Sequence, residues 1–132
     1  MSIKLCYKEY PFKMDLLSMR NFKKDTGKCL WSTLIDFLRV YASSEGKGAL
    51  DRMSDIYHVV DFETASYIFF HLIDRDHKVP LEEIQDGMFR VGWLVNSTDS
   101  DMSEPWPLVM ALLAHEINSE FNEVSPPKKS DT

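Results

Sequence analysis

Residues that could do chemistry are few in this chain, and their spacing does not group them. Histidines stand at His58, His71, His77 and His115. His71 and His77 are separated by roughly 600° of helical turn at about 100° per residue, so a helix would aim them in different directions. His115-Glu116 starts like a zinc-protease helix, but Ser119 stands where the second histidine of H-E-x-x-H belongs. Asp99-Ser100-Asp101 starts like a calcium loop, yet no glycine marks its sharp turn and no glutamate closes its twelfth position. Thr26-Gly27-Lys28 echoes the end of a phosphate-binding loop. That loop needs a glycine where Phe22 stands and a Ser or Thr where Cys29 stands. No metal or cofactor is expected.

Nucleophilic catalysis is no better supplied. There is no G-x-S-x-G elbow, and Cys6 and Cys29 form neither a C-x-x-C pair nor a local setting that predicts an acidic thiol. The 21 acidic residues guarantee some close carboxylate pairs, which alone identify nothing. The chain is therefore expected not to be an enzyme. The rival, a small enzyme whose site assembles from scattered residues, would be met by a ligand screen.

The elements that would position any site are mainly helical. With 44% hydrophobic and 27% charged residues over 132 positions, the composition is that of one globular domain. The net charge of -6 opposes a nucleic-acid partner, and Lys23-Lys24 with Lys28 and Lys128-Lys129 are too short to offset it. The N-terminus lacks a signal-peptide core, and no apolar run is long enough to span a membrane. The two cysteines are not a secreted framework, and an intracellular, reducing location is expected.

Ile3, Leu5 and Tyr7 alternate with Ser2, Lys4 and Lys8, predicting a strand or extended arm over residues 1–11 that ends at Pro11. Such a strand must lie on helices, pair within the chain or pair with another subunit. Phe12, Leu16, Met19 and Phe22 then predict a helix stopped by Gly27. Leu30, Trp31, Leu34, Ile35, Phe37, Leu38 and Tyr41 form a strong second stripe. Ala49 to Val60 carries a weaker third. Asp61 offers an N-cap for a fourth helix through Ile73, and Pro80 suits the first turn of a fifth with Leu81, Ile84, Met88, Val91 and Val95 inward. A last helix, capped at Ser103 with Pro105 and Pro107 in its opening turn, is expected to bury Leu108, Ala111, Leu112, His115 and Phe121. The expected fold is all-α: a compact bundle of five to six helices in one domain over 1–122, with a disordered tail over 123–132.

Large apolar residues exceed what single helix stripes can hide. Phe70 lies off its stripe, and Pro105-Trp106-Pro107-Leu108-Val109-Met110 is apolar almost all round. Phe70, Trp93, Trp106 and Met110 are accordingly expected to form an exposed patch that binds a partner or a second subunit.

Tyr10-Pro11-Phe12-Lys13-Met14-Asp15-Leu16, an arm entering a helix, begins a series of features. It continues in Phe22–Trp31, where Thr-Gly separates two helices, in Val79-Pro80-Leu81-Glu82-Glu83-Ile84, and in the Pro105-Trp106-Pro107-Leu108 helix. In order and spacing the series, over roughly residues 7–121, resembles the tail assembly chaperones of long-tailed, non-contractile bacteriophages. The resemblance implies a helical protein of the host cytoplasm, absent from the mature virion. It implies partners: the tape measure protein, tail tube subunits, and a longer, frameshifted form of the chain itself, with homo-oligomers possible. Pro127-Lys128-Lys129 can be encoded as CCA-AAA-AAG, which contains an A-AAA-AAG slippery heptamer. The alternative expectation is an acidic helical adaptor or inhibitor of a host protein.

Overall fold

The computed structural model describes the backbone of residues 2–5, 8–90 and 106–124, with the side chains of 9–89 and 106–119. The element order is β1 (Ser2–Leu5), β2 (Lys8–Pro11), α1 (Leu16–Thr26), α2 (Leu30–Ser43), α3 (Ala49–Tyr57), α4 (Phe62–Leu72), α5 (Leu81–Arg90) and α6 (Trp106–Val124). A single turn of 3-10 helix, Arg75–His77, lies between α4 and α5. The fold is an all-α bundle carrying an N-terminal hairpin.

The expected arm supplies its own partner. β1 and β2 pair antiparallel, with Ile3 opposite Tyr10 and Lys4 opposite Glu9. Phe12, expected on the first helix, instead continues the extended segment and bridges to Ile73 at the exit of α4. Two backbone bonds fix that bridge: Lys13 N–H donates to the Leu72 carbonyl at 2.7 Å, and Asp74 N–H to the Pro11 carbonyl at 2.8 Å. Phe12 and Ile73 are both buried, so the hairpin is tied to the bundle through its core.

Local chemistry sets the helix ends. The Asp15 carboxylate accepts from Ser18 N–H at 2.8 Å and so starts α1 at Leu16, later than the apolar spacing predicts. Gly27 ends that helix with φ 76°, a left-handed conformation glycine adopts without steric cost, and its N–H reaches the Lys23 carbonyl at 2.7 Å. Asp61 caps α4 as predicted, accepting from Thr64 N–H at 2.8 Å. Pro80 stands one residue ahead of α5, where its carbonyl accepts from Glu83 and Ile84 N–H, instead of lying in the first turn.

The helices meet in pairs. α4 packs on both α1 and α5, while α2 packs on α1, α3 and α6, and β1 touches α6. Among the described residues, one apolar cluster runs from Tyr10 and Phe12 through Phe22, Leu34, Phe37, Ile56, Ile68 and Phe69 to Met88 and Ile117. The inward face of α6 is rotated from the expected one. Trp106, Val109, Met110, Leu113, Ala114 and Ile117 are buried, whereas Leu112 and His115 face out. Their spacing of three, one, three, one and three is that of one helix stripe. Val91, Val95, Ser103, Pro105 and the expected tail over 123–132 lie wholly or partly outside the described residues.

Candidate binding surface

Of the four expected contact residues, two lie in the core. Trp106, at the start of α6, has no exposed surface and sits between Phe37 of α2 (6.4 Å between ring centroids) and Tyr57 of α3 (6.3 Å). Met110, one turn on, is also fully buried. An α-helix that is apolar nearly all round presents its bulkiest side to the densest packing, and here α2 and α3 take that side. Trp106 and Met110 therefore do not form an exposed patch. Trp93 lies outside the described residues.

Phe70 is half-buried, at the edge of a polar-aromatic cluster joining α1 to α4. The Lys78 ammonium stands 4.5 Å from the centre of its ring and donates to its carbonyl. Next to it the buried His71 ring meets Phe70 edge-on at 5.1 Å, Phe22 edge-on at 6.3 Å, and Tyr67 stacked at 6.2 Å. His71 Nε2 lies 2.7 Å from Asp25 Oδ2 at the end of α1. Burial holds the imidazole below its ordinary pKa, with the Asp25 carboxylate opposing that shift. Nothing among these groups presents a nucleophile to His71, and the arrangement is that of a clamp between helices.

A second polar cluster secures the end of α2. Arg52 is buried; its Nε–H donates to Ser44 Oγ at 3.1 Å and its Nη2–H to the Tyr41 carbonyl at 2.9 Å. Its guanidinium also lies 4.2 Å from the centre of the Tyr41 ring. It satisfies a carbonyl that the helix end leaves without an intrahelical donor. A third cluster joins the start of α1 to the 3-10 turn: Asp15 and Arg75 pair at 3.2 Å beside a cleft of about 200 Å³. Hydrogen bonds from Ser18 and the Arg75 charge keep the Asp15 carboxyl below the usual range, the backbone bond foremost.

Cys29 departs from expectation. It is the exposed N-cap of α2, and N–H and O–H groups of Ser32, with the Trp31 N–H and the Lys23 charge, lower its thiol pKa. The start of α2 at Leu30 makes Cys29 the N-cap, and it is this position that brings the N–H groups of the first turn to the sulfur. Among the described residues, no three of His, Cys, Asp and Glu converge as metal ligands would.

Among the described residues, the large apolar side chains that do stand outside are Leu16 and Leu17 on α1, Leu50 on α3, Phe89 on α5 and Leu112 on α6. Phe89 is the only aromatic in this set and is 67% exposed, although its neighbour Met88 is fully buried. Its place next to an inward position, off the Ile84–Met88 stripe, is legible in the sequence. Comparison of the chain with protein-family models, curated proteins and solved structures finds no match. The fold and surface define a class, a helical domain with a filled core and apolar side chains left at its periphery.

Proposed function

We propose that this protein is a tail assembly chaperone: it binds the tape measure protein during tail morphogenesis, recruits tail tube subunits to it, and leaves before the virion is complete. It acts in the host cytoplasm by binding alone. The observation that supports this reading beyond the family resemblance is Phe89. Isolated surface leucines are ordinary on any protein. Among the described residues Phe89 is an aromatic side chain two-thirds exposed beside a filled core, and aromatic side chains, phenylalanine included, are enriched at protein interfaces. A long helical client would lay its apolar stripe against such an anchor and be released when tube subunits compete for it.

The test is co-expression with the tape measure protein, the long helical protein encoded nearby. The chain is expected to copurify with it and keep it soluble. Phe89→Ala should weaken the complex by about 2 kcal/mol, roughly thirtyfold, because anchors of this kind contribute at least that much. A tape measure protein that stays insoluble and unbound in the presence of the wild-type chain refutes the proposal. The net charge of -6 favours one other reading, an acidic adaptor or inhibitor of a basic host protein. That reading predicts binding that weakens steeply with salt, whereas docking through Phe89 would be nearly salt-independent.

A further inference from the structure

The outward sides of α1 and α5 are chemical opposites. On α1, Leu17, Arg20 and Lys24 follow at intervals of three and four, with Lys23 alongside, and all four are exposed. The carboxylates of this helix and its cap are turned to other elements: Asp25 meets His71 and Asp15 meets Arg75. That leaves Arg20, Lys23 and Lys24 outward with no acid among them. On α5, Glu82, Asp86 and Phe89 follow at intervals of four and three, with Glu83 alongside, and these too are all exposed. The buried Ile84 and Met88 mark the other side of that helix.

Intervals of three and four occur on any helix face; the match lies in the chemistry at each position. Laid antiparallel, α1 of one copy and α5 of another share a register that sets Lys24 against Glu82, Lys23 against Glu83, Arg20 against Asp86 and Leu17 against Phe89. A parallel arrangement centred on Arg20 and Asp86 sets Leu16 against Glu82 and Lys23 against Phe89, which spoils both ends. We propose that this is a contact between copies of the chain, with α1 of one seated antiparallel on α5 of the next. Opposite charges at three successive positions fix its direction and register, and Leu17 on Phe89 closes its apolar end.

The contact repeats from copy to copy. α4 stands between the two helices, meeting α1 through His71, which bonds Asp25, and α5 through Ser66, which accepts from Gln85 at 3.1 Å. Those two positions are roughly 140° apart around α4 at about 100° per residue, so α1 and α5 flank it on different sides. Their outward faces look away from each other, and a single neighbour does not reach both. A head-to-tail contact of this type builds a ring or an open filament. Ion pairs at a solvated face are individually weak, so each contact is weak. It covers Phe89, which makes self-assembly and client binding alternatives at that ring, but the contact itself requires no client.

Sedimentation equilibrium on the full chain alone, from about 1 µM to about 1 mM, tests it. The mean mass of the wild type is expected to climb past that of a dimer toward the upper end. R20E/K24E makes both faces acidic and E82K/D86K makes both basic; each should weaken self-association at least about tenfold, because like charges then meet. Reversal also alters the net charge, so mixtures decide. Each variant keeps one native face and should bind the wild type with a constant within about threefold of the wild type's own. The two variants mixed together should associate again, since reversed α1 then meets reversed α5. All four positions are exposed, so far-UV circular dichroism should be unchanged, and if one variant unfolds the other carries the same test against the wild type. A wild type that stays monomeric to about 1 mM, or whose mass levels off at a dimer, overturns the proposal. So do variants that associate like the wild type, or a folded variant that does not bind it.

Discussion

Replacing Trp106 separates a core residue from a contact residue. Its side chain is fully buried between Phe37 and Tyr57, so truncation to alanine removes two ring contacts and leaves a cavity that neighbours only partly fill. Changes of that kind cost about 3–5 kcal/mol. One term works the other way. Among the described residues the indole Nε1 has no hydrogen-bond partner, and a buried unsatisfied donor costs about 1–3 kcal/mol, which the truncation relieves. The net expectation for Trp106→Ala is a loss of about 2–3 kcal/mol. For a chain of 132 residues, with an unfolding entropy near 2.1 cal/mol/K per residue, each kcal/mol shifts Tm by about 3.6 °C. The melting point should fall by roughly 7–11 °C, read by circular dichroism at 222 nm. Trp106→Phe is the sharper probe. It keeps an aromatic ring in the slot and removes the unpaired N–H, so the lost volume and the relieved donor nearly offset, and Tm should move by less than about 4 °C. Equal losses in the two variants would refute the role given to the N–H. An unchanged Tm in Trp106→Ala would refute burial itself and return Trp106 to the surface.

Three further outcomes follow from the polar contacts. Arg52→Ala takes the guanidinium from Ser44 Oγ and from the Tyr41 carbonyl, which keeps the Ser44 hydroxyl as a donor at 3.2 Å, and should cost about 1.5–2 kcal/mol in urea unfolding; Arg52→Lys cannot reproduce the fork and should recover less than half. Asp61→Ala removes the α4 cap and should cost about 1 kcal/mol, while Asp61→Asn, which still accepts from Thr64 N–H, should cost much less. His71 has a folded pKa below its ordinary 6.5, so its neutral form is favoured by the fold; its contribution is complete above that value and is lost as pH falls through it toward the folded pKa. Urea midpoints measured from pH 7.5 to pH 5 should therefore decline in the wild type and flatten in His71→Phe. The capping carboxylates Asp15 and Asp61, whose pKa values are depressed, lose their contribution only at lower pH, through the window below about 3.8.

How much of this was legible depends on where the deciding interaction lies. Gly27 and Asp61 act within four residues of themselves, and both helix ends stand where the sequence puts them. The hairpin was half visible. β1 alternates in the expected way, but β2 is Lys-Glu-Tyr-Pro, two charges and a proline, and it pairs because Phe12 next to it is anchored on Ile73 sixty-one residues away. The same anchor pulls Phe12 out of the first helix. The inward face of α6 is not legible in the sequence because Trp106 to Ala114 is apolar at almost every position, so several stripes fit and the position of α2 decides among them. The same all-round apolarity suggests a surface patch at Trp106 and Met110, which the packing of α6 buries. The acidity of Cys29 depends on N–H groups that converge on it only once α2 begins at Leu30.

Moving Trp106 and Met110 inward changes which residues can meet a partner, and it separates stability from binding. Both side chains are fully buried at the start of α6, whereas Phe89 on α5 stands two-thirds exposed beside the buried Met88. Substitutions at sites without shared partners act nearly independently. Phe89→Ala, a surface change, should alter stability by less than about 0.5 kcal/mol, which is a Tm shift of under about 2 °C, while weakening the client complex as given above. Trp106→Ala should do the reverse: it lowers Tm, yet at a temperature where the variant is folded its affinity for the client should stay within about threefold of wild type. A folded Trp106→Ala protein that no longer held the client would make Trp106 a contact residue after all, and the division between an inward α6 and an outward Phe89 would be wrong.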